Sequence, residues 1–114
     1  MAIENIANSD LSVLGEYLGG NQGTVATGII TVAAQGTAVQ GETVTVPAGC
    51  KVTLKARRTN TGYCYPGGSK VNAEEREFEM TPQAIVSLQV ANVNDIWIDA
   101  TVNASVVEWI VEAA

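Results

Sequence analysis

From Thr24 onward the chain is built of short runs rich in Val, Ile and Thr, separated by Gly, Pro and Asn, and this punctuation is what most limits the fold. The runs are Gly28 to Ala34, Thr37 to Gln40, Glu42 to Val46, Lys51 to Arg58, Gly62 to Tyr65, Glu77 to Met80, Ala84 to Val90, Ile96 to Val102 and Val106 to Glu112. Strand-forming residues at this spacing, with no helical period between them, predict an all-β domain of seven to nine strands. In Lys51 to Arg58, Val52, Leu54 and Ala56 alternate with Lys51, Thr53, Lys55 and Arg57, so one face is core and the other wet. Ile96, Ile98, Ala100 and Val102 alternate with Trp97, Asp99 and Thr101 in the same way. Strands with one polar face each fit antiparallel sheets packed as a β-sandwich, of jelly-roll type.

The turns agree with this division. Val46-Pro47-Ala48-Gly49 sets one φ with proline and supplies glycine two residues later, which reverses the chain before the basic strand. Asn60-Thr61-Gly62 and Pro66-Gly67-Gly68-Ser69 bracket Tyr63-Cys64-Tyr65, and Asn92-Val93-Asn94-Asp95 joins two strong strands. At 114 residues the chain has the length of a single domain with one core.

The first residues differ. Leu11, Leu14 and Leu18 share one side of a short helix after a cap at Ser9 or Asp10, but Gly15 interrupts it and Gly19-Gly20 ends it. With Ile3, Ile6, Val13 and Tyr17 this segment carries more apolar surface than a solvated tail. Residues 1–23 are therefore read as an extended or short-helical arm with a Gly-rich hinge, and 24–114 as the β-sandwich domain. The arm either folds back on the domain or lies on a partner, through Ile3, Ile6, Leu11, Leu14, Tyr17 and Leu18.

Histidine is absent, which removes Ser/His/Asp and Cys/His catalysis and the Cys/His zinc sites. Six basic against twelve acidic residues give a net charge of −6, opposite to what phosphate-backbone binding needs. The start Met-Ala-Ile-Glu-Asn has no basic n-region and no window is a membrane span, so the expectation is synthesis in a cytosol, with no membrane and no nucleic acid as partners. Cys50 and Cys64 are too far apart for a CxxC pair and are expected to be two buried free thiols. Glu74-Glu75-Arg76-Glu77, followed by Glu79, lacks the ligand alternation of a calcium loop and reads as solvated. Asp95, Trp97 and Asp99 share one strand face without a third polar group to complete a site. No catalytic residue, cofactor or metal is assigned, and the expectation is a protein that is not an enzyme.

Two surface features point outward. Lys51, Lys55, Arg57 and Arg58 gather four of the six basic residues, a stripe suited either to cross-strand glutamates or to an acidic partner, including another subunit. Tyr63 and Tyr65 alternate around Cys64 and are expected to point together, packing in the core or an interface ahead of forming, with Trp97, a glycan platform.

The segments Gly36-Thr37-Ala38-Val39-Gln40, Val52-Thr53-Leu54-Lys55-Ala56, Asn60-Thr61-Gly62, Gly67-Gly68-Ser69 and Asn94-Asp95-Ile96-Trp97-Ile98-Asp99-Ala100 together resemble small β-rich virion proteins of tailed bacteriophages. The resemblance spans about residues 28–112 and extends to head decoration (cement) and fibre-like components. It implies a structural role in the virion, assembly in the host bacterial cytoplasm, and a homo-oligomer, a trimer above all, bound to the major capsid protein or other virion proteins. The Cys64-Tyr65 stretch departs from the pattern, and the arm has no counterpart in it. The alternatives are a tail, baseplate or head-fibre component, or a small carbohydrate-binding module using Tyr63, Tyr65 and Trp97.

Overall fold

The computed structural model describes residues 26–75 and 77–114, so the arm and its aliphatic side chains lie outside the described residues. Among the described residues seven strands are formed: β1 (Ala26–Val32), β2 (Val39–Gln40), β3 (Cys50–Ala56), β4 (Cys64–Gly67), β5 (Ile85–Leu88), β6 (Trp97–Ala100) and β7 (Ser105–Ala113). All pairings are antiparallel. One sheet has the order β1-β7-β3-β5 and the other β2-β6-β4.

The pairing is nested. β1 meets β7, β2 meets β6, β3 meets β5, and β4 meets Met80 through a single bridge, so the chain runs out and back along itself while successive rungs alternate between the sheets. Two expected strands are reduced to such bridges. In the 42–46 run only Thr45 pairs, with Asn92, and in the 77–80 run only Met80, with Cys64. Phe78 explains the second case, because its φ of 55 lies in the left-handed region, which a strand cannot contain.

The alternation read in β3 holds: Val52, Leu54 and Ala56 are fully buried, while Lys55 is exposed and Lys51 and Thr53 are half-buried. From β7, Val107, Trp109 and Val111 join them, and from the other sheet come Cys64, Ile98 and Ala100. With Val46, Met80, Val93 and Ile96 these form one core cluster to which both sheets contribute. The deepest aliphatic side chains each add roughly 1.5 to 3 kcal/mol of burial. Trp109 needs a special neighbour. A Cβ on Gly28, its cross-strand partner, would stand 2.4 Å from the indole Cζ2, so only glycine lets the ring lie against β1.

The turns are closed by backbone bonds and by side chains that supplement them. Gly49 has φ 84 and Cys50 N donates to Pro47 O at 3.0 Å, closing the expected Pro-Gly turn. At residues 93–95 a 3-10 turn forms, and Asn92 caps it: its Oδ1 accepts from Asn94 N and Val44 N, both at 3.0 Å, and Asp95 Oδ2 accepts from Asn92 N. Past the end of β3, Asn60 donates from Nδ2 to Val106 O at 2.9 Å and accepts at Oδ1 from Val106 N at 3.0 Å. One side chain thus imitates one more residue of strand pairing.

Gly28→Ala is expected to destabilise the fold by about 1 to 3 kcal/mol, the cost of forcing an indole out of a packed core. Urea unfolding followed by tryptophan fluorescence measures it, and an unchanged midpoint would contradict the close packing.

Candidate functional site

The buried centre of the second sheet is Asp99, and its environment reverses the reading of β6. Asp99 was expected on a wet face, yet it is fully buried. Its Oδ1 accepts from Gly36 N at 3.0 Å and Ala100 N at 2.8 Å, and its Oδ2 from Ala73 N at 2.8 Å. Gly36 belongs to the β1–β2 loop and Ala73 to the β4–β5 loop, so one carboxylate fastens both loops to a central strand. The β4–β5 loop roofs this face. Ala73 is buried on it, and a Cβ on Gly67 would sit 3.1 Å from Val71. The roof is made of residues 68–75, which no alternation in β4 or β6 announces.

The same roof corrects the aromatic platform. Tyr65, opposite Asp99 in the β4–β6 register, is completely buried, whereas Tyr63 is 38% exposed and Trp97 half-buried. Tyr63 N donates to Thr101 Oγ1 at 3.0 Å, and Trp97 lies opposite Gly67, at the other end of the pairing. The three rings do not converge on one surface. Tyr65 thus takes the core packing weighed for it, and the platform alternative loses one of its three rings because the face is covered at Tyr65.

The basic stripe lies on the outer face of the β1-β7-β3-β5 sheet, as its alternation required. Lys51 and Lys55 stand opposite Glu112 and Glu108 of β7. Arg57 Nε contacts Glu108 Oε2 at 2.9 Å, and Thr53 Oγ1 donates to Glu112 Oε2 at 2.5 Å. Cross-strand glutamates therefore take part of the charge. The Arg57–Glu108 pair is more than one-third exposed on both sides and contributes little, within about 1 kcal/mol. Arg58 is exposed beyond the strand end.

Ile29, on β1, is 47% exposed, and Ile85, on β5, is 66% exposed, in one row with Glu108 and Lys55 between them. Between these edges opens a cavity of about 450 Å³ whose lining includes Ile29, Ile85, Ile110, Trp109, Lys55 and Arg57. The sequence signal for it was the apolar residues at outward positions, Ile29 and Ile110, which a purely solvated face does not carry. The acidic run 74–79 is solvated as expected, with Glu74, Glu75, Glu77 and Glu79 exposed. Phe78, within it, is 61% exposed, the feature that a strand reading of 77–80 hid.

Both cysteines are free, but only Cys64 is buried; Cys50, expected to be buried, is half-buried near the start of β3. Burial pushes the Cys64 thiol up from 9.0 to about 11. Among the described residues no three His, Cys, Asp or Glu side chains gather as metal ligands, and no helix is long and apolar enough to cross a membrane. Comparison with protein-family models, with curated proteins and with solved structures finds no match to this chain.

Asp99→Ala is expected to cost about 3 to 5 kcal/mol by stranding buried N–H groups. In Asp99→Asn the amide oxygen retains Gly36 and Ala100 while its NH2 opposes the Ala73 N–H; hydrogen exchange should then accelerate at Ala73 far more than at Gly36. For the thiols, an aromatic disulfide reagent at pH 8 is expected to modify Cys50 in the native protein and Cys64 only after unfolding. Because the folded pKa of Cys64 is the higher one, its contribution is fully present below pH 9 and is lost as pH rises from 9 to about 11. Stability in that window should fall by about 2 kcal/mol more in the parent than in Cys64→Ala.

Proposed function

We propose that this chain is a structural protein of a tailed-bacteriophage virion that decorates or cements the capsid, and that its two sheets are the halves of a jelly-roll sandwich. The nested pairing carries the proposal. When the Met80 bridge is counted as a strand position between β4 and β5, every position of the outgoing chain pairs with its counterpart on the return, and consecutive positions fall in alternate sheets. A long hairpin wrapped in this manner is a jelly roll, an architecture used by viral capsid and lectin domains.

The virion reading rests on this wrapping together with the resemblance carried by Gly36 to Gln40, Val52 to Ala56 and Asn94 to Ala100. Those segments fall on elements that hold the fold: Gly36 at the Asp99 anchor, Val52 to Ala56 in the core of β3, and Asn94 to Ala100 through the capped turn into β6. Shell binding requires contact area, and the chain has two sources of it: the outer face of the four-stranded sheet and the aliphatic residues of the arm. Burying five aliphatic side chains at roughly 1.5 to 3 kcal/mol each offsets the entropy of ordering such an arm, and several arms in one oligomer add avidity. The carbohydrate-binding reading is the weaker one, because Tyr65 is sealed from any ligand.

Peptide mass spectrometry of purified particles is expected to find this chain in many copies per virion. The full-length variant Leu11→Asp/Leu14→Asp/Leu18→Asp should keep the β-rich circular dichroism of the parent and lose co-sedimentation with capsids. Absence from particles made in cells that contain the protein would overturn the virion role, and undiminished co-sedimentation of the triple variant would overturn the arm as its means.

A further inference from the structure

Two features of the surface complement each other and belong to different sheets. The first is the cavity on the outer face of the β1-β7-β3-β5 sheet, with Ile29, Ile85 and Ile110 as apolar walls and Lys55, Arg57 and the Glu108 that pairs with Arg57 among them. The second is Phe78, 61% exposed, held at φ 55 and flanked by Glu77 and Glu79. A bulky residue in the left-handed region is an outlier that costs on the order of 1 to 3 kcal/mol, and such strain is retained where the surroundings fix it. Here the backbone presents a phenyl ring to solvent between two carboxylates.

Charge and size match. Four of the six basic residues lie on or beside the cavity face, opposed there by Glu108 and Glu112, while the other two, Lys70 and Arg76, fall in the Phe78 segment, where Glu74, Glu75, Glu77 and Glu79 outnumber them. An apolar ring of benzene size occupies a cavity of about 150 Å³, well within the space available. Phe78 does not reach the cavity of its own chain, since it lines a separate hollow with Gly67, Gly68 and Val71 beside the other sheet.

We propose that Phe78 of one copy of this chain seats in the Ile29/Ile85 cavity of the next copy, with Glu77 and Glu79 set against Lys55 and Arg57. The contact is heterologous, head to tail, and its repetition closes a ring when the rotation between copies permits. Phe78 is then the aromatic anchor of the interface, and the charges fix orientation and exclude other partners. This rests on the homo-oligomer that the resemblance implies and that lends the arms of the proposed function their avidity, and it makes no use of capsid binding.

The test uses the purified full-length protein without particles, so its failure leaves capsid binding to be judged separately. In sedimentation velocity over micromolar concentrations the parent is expected to associate, more weakly as salt is raised. Phe78→Ala and Ile85→Asp, both at exposed positions, should each weaken association by about 30-fold or more, the loss expected for an aromatic anchor, with circular dichroism unchanged. Mixed one to one, the two variants should form a dimer and nothing larger, because the intact Phe78 of one still finds the intact cavity of the other. The proposal is overturned by a parent that stays monomeric, by a Phe78→Ala protein that associates like the parent, or by variants that fail to pair. Dissociation by Ile85→Asp alone would assign the cavity to another occupant, such as the arm or an unrelated acidic protein, and would overturn it equally.

Discussion

A carboxylate with no access to water must find its hydrogen bonds inside the protein, and Asp99 finds them in the backbones of two loops. Gly36 and Ala73 are 37 residues apart in the chain and are brought to one side chain on β6. The buried state of Tyr65 depends on this fastening, because the roof over the β4–β6 face is held down at Ala73. An apolar residue at position 99 would fill the space and leave the donors without partners, which is worse in the interior than no polar group at all. The three-stranded sheet is consequently covered on both sides at Tyr65 and Asp99, by the shared core on one and by its own loop on the other. The four-stranded sheet keeps an outer face of mixed character.

That difference accounts for which parts of the fold could be read from the residues. The alternation in β3 reports one buried and one open face, and the structure has them. β7 is equally legible, with Val107, Trp109 and Val111 inward and Glu108 and Glu112 outward. β6 misleads, since Asp99 and Thr101 look like a wet face until a loop distant in sequence covers it. Alternation reports polarity, and a satisfied buried carboxylate has the same signature as a solvated one. The run 77–80 misleads for another reason: Phe78 and Met80 have the spacing of one strand face, but positive φ at Phe78 sends one to solvent and leaves the other in the core.

The candidate surfaces were legible to a similar degree. The basic stripe follows directly from period two in β3, but its partial neutralisation by β7 required the register, and the cavity beside it required the placement of β1 and β5 at opposite edges. The aromatic platform dissolved because it assumed that a shared face is an open face. Cys64 and Cys50 separate on the same principle: a thiol behind the sheet is insulated from solvent, and one at the mouth of a strand is half within reach.

Asn60 has a consequence for how this architecture tolerates change. Arg57 N still donates to Val106 O, and Asn60 completes the rung by accepting from Val106 N and sharing the same carbonyl, which gives the ladder a finished end. The exposed positions between Ala56 and Cys64, Arg58, Thr59 and Thr61, are thereby released from strand pairing, while Gly62, whose Cβ would stand 2.5 Å from Val102 Cγ2, stays fixed. A single planar side chain acts as a splice between rigid lattice and adjustable rim.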